Sequence, residues 1–119
     1  MKYEILGKNK DITRIVSDSL VITDTGSALD MIATAQYETD CDKIIIDKSC
    51  VIDDFFILSK GIAGEILQKF INYNKKVAIV GDYSKYTSKP LLDFIYESNN
   101  GNSIYFLSSI DEAVAKLEN

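Results

Sequence analysis

KIIID (43–47), GIAGEILQKFINY (61–73) and KVAIVG (76–81) decide the fold between them. The first and third are short, unbroken apolar runs. A strand that reads this way is covered on both faces, as central strands of a parallel sheet are. The segment between them repeats at helical spacing, with Ile62, Ala63, Ile66, Leu67, Phe70 and Ile71 on one face and the Glu65/Lys69 pair on the other. Strand, helix and strand in this order make one right-handed crossover unit.

Working outward, the same alternation continues. SKPLLDFIYESNNG (88–101) reads as a helix: Ser88 caps it, Pro90 falls in the first turn, and Gly101 ends it. SIYFLS (103–108) is a third buried strand. A last helix opens on Ser109 and Glu112 and turns Ile110, Ala113, Val114 and Leu117 inward. Toward the N-terminus, SALDMIATAQY (27–37) is a largely buried helix whose Ser27 and Asp30 have capping-box spacing. KYEIL (2–6) and ITRIVS (12–17) flank the turn segment GKNKD as a hairpin, and LVIT (20–23) is a short strand or an extended entry. The predicted order is ββ-α-β-α-β-α-β-α, one α/β sandwich spanning 1–119 with an antiparallel hairpin on a mostly parallel sheet.

Composition narrows function by exclusion. The chain has 119 residues, 46% apolar, enough for one ordinary core. It has no histidine, which removes Ser-His-Asp and Cys-His nucleophiles, His general bases and His-liganded metals. Eighteen acids outnumber thirteen bases, and arginine occurs once, at Arg14. The basic knots Lys8/Lys10 and Lys75/Lys76 read as solvated loops, so nucleic acid is not the expected partner. No apolar run approaches the ~20 residues that span a bilayer, and MKYEILGKNKD lacks a signal-peptide core. A cytoplasmic protein with reduced Cys41 and Cys50 is expected. No cofactor is called for.

Three constellations could carry chemistry. Asp24-Thr25-Gly26-Ser27 matches the Asp-Thr-Gly-Ser motif of aspartic proteases. The competing reading is a helix cap, and the helical periodicity read over 54–73 and 88–99 favours it. Asp47 and Ser49 follow one apolar strand and Asp82, Tyr83 and Ser84 follow another. In open parallel sheets ligands bind beyond such strand ends, so these five form the candidate ligand site, with Asp47 and Asp82 as oxygen donors should they meet. Phe55, Phe56, Ser59 and Gly61 form a candidate partner face ahead of the strong helix. A plug for one end of the core is the alternative for the apolar run FFIL (55–58).

The stretch from SALDMIATAQYET through CDKIIIDKS, FFILSKGIAGEILQKFINY, VAIVGDYSKYTSK and FIYESNNG resembles an uncharacterised bacterial family, domain of unknown function 4180. That resemblance covers nearly the whole chain and implies a small bacterial cytoplasmic protein. The element order is also similar to that of the STAS domain, the fold of anti-sigma factor antagonists. There a D-S-S-G motif at a helix start carries a serine that a partner kinase phosphorylates. Leu58, Ser59, Lys60 and Gly61 stand at those positions, and Ser59 and Gly61 match. The resemblance implies a regulatory module that binds a protein partner or itself, in the simplest case as a homodimer. An enzyme or binding protein with its site at the strand ends is the alternative.

Overall fold

The computed structural model describes all 119 residues. The hairpin forms as expected. β1 (Lys2–Leu6) pairs antiparallel with β2 (Ile12–Val16), with Tyr3 opposite Ile15 and Leu6 opposite Ile12. α1 (Thr25–Thr39), β3 (Lys43–Asp47), α2 (Ile62–Asn72), β4 (Lys76–Val80), α3 (Lys89–Asn99), β5 (Ile104–Leu107) and α4 (Ile110–Glu118) follow. The sheet order is β1-β2-β3-β4-β5, parallel from β2 onward. The α/β single-domain fold expected from the sequence is the one found.

Each parallel strand is added on the same side of the last. Right-handed crossovers that all advance in one direction place their helices on one face. α1, α2 and α3 accordingly share a core with Ile44, Ile46, Val77, Ile79 and Phe106. α4 follows the final strand and crosses nothing, so it is free to cover the opposite face, over Ile12, Ile45, Ala78 and Tyr105. With both faces covered, β3 and β4 must be apolar at every interior position, which is why they read as unbroken runs.

Three expectations need correcting. The box at the start of α1 lies three residues earlier than Ser27/Asp30. Asp24 is the N-cap: Ser27 N–H donates to its Oδ1 (2.7 Å), and Asp24 N–H donates back to Ser27 Oγ (3.0 Å). This settles the Asp-Thr-Gly-Ser motif as a cap. Those bonds from Ser27 stabilise the ionised Asp24 and hold its carboxyl below the usual range. Ile71 is 46% exposed, because α2 buries only Ala63, Ile66, Leu67 and Phe70 fully. Gly101 does not take the left-handed conformation; α3 ends at Asn100, whose N–H reaches back to Tyr96 and Glu97 carbonyls. Of the two alternatives for LVIT the extended entry is found, with one bridge, Ile22 to Val51.

Candidate functional site: the corner beyond β3 and β4

β3 runs into three 3-10 turns, Lys48–Cys50, Asp53–Phe56 and Leu58–Lys60, before α2 begins. The turns fold the apolar run FFIL against the sheet end. Phe55 and Phe56 are buried, in an aromatic cluster. Phe56 meets Phe55 edge-on at 4.9 Å, stacks on Tyr86 at 5.6 Å and lies 5.9 Å from Tyr83. The expectation that these two phenylalanines form an outward face is therefore corrected to the core-plug alternative. The surface of this corner is made by Ile57, 46% exposed, with Ser59, Lys60 and Gly61 beside it.

Lys48 closes the cluster from outside, its Nζ 5.2 Å from the Phe56 ring centre and 5.0 Å from that of Tyr86. Its stem crosses Gly81 so closely that a Cβ there would lie 2.5 Å from Lys48 Cβ. Only glycine fits at the end of β4. Tyr83 turns inward and donates its hydroxyl to the Ile79 carbonyl (2.8 Å); burial pushes its pKa well above the usual phenol range.

The expected ligand residues are partly brought together. Asp47, Ser49 and Asp82 line one open cavity of about 520 Å³ with Lys48, Gly81 and Lys85. Tyr83 and Ser84 do not line it. Tyr83 belongs to the aromatic cluster, and Ser84 donates both its N–H (2.9 Å) and its hydroxyl (2.6 Å) to Asp82 Oδ1. Those bonds hold the Asp82 carboxyl below its usual range. Asp47 faces Arg14, with Oδ2 3.6 Å from the guanidinium, whose other arm meets Glu4 at 3.1 Å. Nowhere in the chain do three acidic or cysteine side chains gather around a metal-sized point.

The start of α2 differs from the other three helices. α1, α3 and α4 are capped by the side chains of Asp24, Ser88 and Ser109. α2 begins at Gly61, in the left-handed region at φ 74°, with no side-chain cap. No side chain therefore accepts from its first-turn amides. Ser59 and Lys60 lie directly before them, and Lys60 is tied to Asp54 at 3.2 Å.

One feature was not legible. Lys75, expected as a solvated loop residue, is only 7% exposed. Its ammonium is held by Gln36 and by Asp42 (3.1 Å). It floors a groove of about 690 Å³ with apolar walls from Leu29, Ile32 and Ala33 and with Tyr37 and Tyr73 at the rim. Asn74, at φ 58°, turns the chain so that Lys75 points back under α1. Its partner Gln36 is 39 residues away, and no local pattern announces it. Cys41 and Cys50 are buried and unbridged. No helix is long and apolar enough to cross a membrane.

A family model described as "Domain of unknown function (DUF4180)" matches residues 7–117. No curated protein and no solved structure matches the chain.

Proposed function

The chain belongs to the DUF4180 family, a domain of unknown function, and from that premise we propose that it is a non-enzymatic regulatory module. Its partner face is the corner of Ile57, Ser59, Lys60 and Gly61, and phosphorylation of Ser59 switches that face. The carrying observation is the exposed Ser59 directly ahead of the one helix whose first turn has no side-chain cap. A phosphoryl group adds roughly -1.5 to -2 charges and three strong acceptors. Beside amides that no side chain caps and the positive end of the α2 dipole it is stabilised. Beside Ile57 it places charge in an apolar contact, which releases a partner. The similarity in element order to the STAS domain supports the same reading: Ser59 and Gly61 match two of the four motif positions, with Leu58 and Lys60 in place of the acid and the other serine. A cytoplasmic setting, where kinases act, goes with it.

The test is capture of partners from the native cell extract with wild type, Ser59→Ala, Ser59→Glu and Ile57→Asp chains. Wild type and Ser59→Ala retain the same stoichiometric partner, and Ser59→Glu and Ile57→Asp lose it at unchanged fold. Equal recovery by all four chains contradicts the assignment.

The cavity of Asp47, Ser49 and Asp82 supports a second reading, a binding site for a small anionic molecule such as a nucleotide, with Lys48 and Lys85 as its cations. It ranks second on physical grounds. The strand order never reverses, so the sheet has no switch-point crevice of the kind such ligands use. Both carboxylates are also already engaged, by Arg14 and by Ser84. A ligand at 100 times its Kd stabilises the fold by about 2.7 kcal/mol. A thermal-shift screen of nucleotides and phosphorylated metabolites that moves nothing removes this reading.

A further inference from the structure

The two edges of the sheet are finished differently. At β5 the backbone of Phe106 faces outward, because the carbonyls of Ser103 and Leu107 already accept from Val77 and Gly81. The Asn99 amide closes that position from α3. It donates Nδ2–H to the Phe106 carbonyl (3.0 Å) and accepts the Phe106 N–H on Oδ1 (2.7 Å). A side chain thus takes the place of a neighbouring strand. β1 has no such cover: no turn, loop or side-chain hydrogen bond reaches the backbone of Lys2–Leu6. Open edges of this kind pair with other strands.

We propose that β1 pairs antiparallel with β1 of a second copy of this chain, about a two-fold axis through Tyr3. The register follows from charge. In an antiparallel ladder, opposite residues must both turn their backbone groups outward or both inward. For two copies of one strand this sets the axis on a residue, never between residues. An axis on Lys2 or Glu4 puts that charge directly against itself, which is destabilising. An axis on Ile5 sets Glu4 against Leu6 and leaves Lys2 beyond the paired strand. An axis on Tyr3 sets Lys2 against the partner's Glu4, twice by symmetry, and Met1 against the partner's Ile5.

The apolar rim agrees with this choice. Met1 and Ile5 are 64% and 50% exposed, and Leu20, 52% exposed, lines a recess with Met1 at the foot of α1. A lysine alone on an edge discourages pairing. A lysine with a glutamate two residues on is complementary to its own copy. Because Asn99 blocks strand pairing at Phe106 on the β5 edge, the assembly stops at two, as a closed two-fold dimer and not a filament.

Sedimentation of wild type, Lys2→Glu and Glu4→Lys chains tests this. Wild type is a dimer. Each substitution sets like charges opposite one another twice and raises the dimer Kd by about tenfold or more. Mixing the two weakened chains restores dimers, since one edge is then wholly acidic and the other wholly basic. A wild-type chain that stays monomeric at about 0.5 mM, a concentration that fills even weak interfaces, overturns the proposal. So does a dimer indifferent to both substitutions, or a mixture that remains monomeric. Circular dichroism of each variant separates loss of pairing from loss of fold.

Discussion

Replacing Phe56 by alanine tests whether the corner is built as described. Phe56 is 5% exposed and touches the rings of Phe55, Tyr83, Tyr86 and Phe106, with Lys48 over its face. Truncating a phenylalanine at such a site removes its transfer free energy and leaves a cavity, for a loss of ~3–5 kcal/mol. The aromatic and cation–π contacts place this site toward the upper half of that range. Unfolding entropy of ~2.1 cal/mol/K per residue over this chain gives about 0.25 kcal/mol/K, so a loss of ~4 kcal/mol lowers Tm by about 16 °C. A domain of this size has roughly 6–18 kcal/mol to lose, so the variant still folds at room temperature. The neighbouring Ile57→Ala variant costs less than about 1 kcal/mol, because its side chain is half in water. Urea unfolding of both variants, followed by far-UV circular dichroism, gives the comparison. A Phe56→Ala loss below ~1.5 kcal/mol, or an Ile57→Ala loss that equals it, refutes the packing argument. Ile57 would then no longer be separable as a surface residue for a partner to use.

Three further outcomes are expected. Gly81→Ala forces a Cβ to within 2.5 Å of Lys48 Cβ, near the backbone end of that side chain, and costs ~1–3 kcal/mol in a denaturant midpoint; a neutral result means Lys48 does not cross β4. Asp24 and Asp82 have folded-state pKa values below their ordinary 3.8, so their stabilisation is complete above that value and is lost as pH falls through the lower folded values. Urea midpoints should be level above about pH 5 and fall in acid, with a shallower acid limb in Asp24→Asn, where the cap survives without titrating. Asn99→Ala strands the Phe106 N–H and carbonyl, costs ~1–3 kcal/mol, and turns a finite assembly into one that grows with concentration in light scattering.

Much of the fold is legible because β3 and β4 carry a signal that only two-sided burial produces, and because Ser88 and Ser109 cap where their spacing says. The errors have local causes. At 24–27 the reciprocal bonds run from aspartate to serine, so a search for serine first starts the box three residues late. FFIL continues the apolar spacing of α2, so the run from 54 reads as helix; two short 3-10 turns, Asp53–Phe56 and Leu58–Lys60, stand there instead, and pattern alone cannot separate plug from patch. Asp47 and Asp82 end on one cavity because adjacent parallel strands deliver them there. Tyr83 leaves it because its hydroxyl finds the Ile79 carbonyl, a partner that no spacing rule reveals. Lys75 is invisible for the same reason: its partners Gln36 and Asp42 come from another part of the chain.

The regulatory reading stands or falls on Ser59. The most direct measurement is the intact mass of the chain recovered from its native cells during growth and after starvation, with the modified residue located by fragmentation. The expected result is a fraction of the chain heavier by one phosphoryl group, carried on Ser59 and changing between the two conditions. A chain unmodified at Ser59 in both, or phosphorylated only elsewhere, contradicts it.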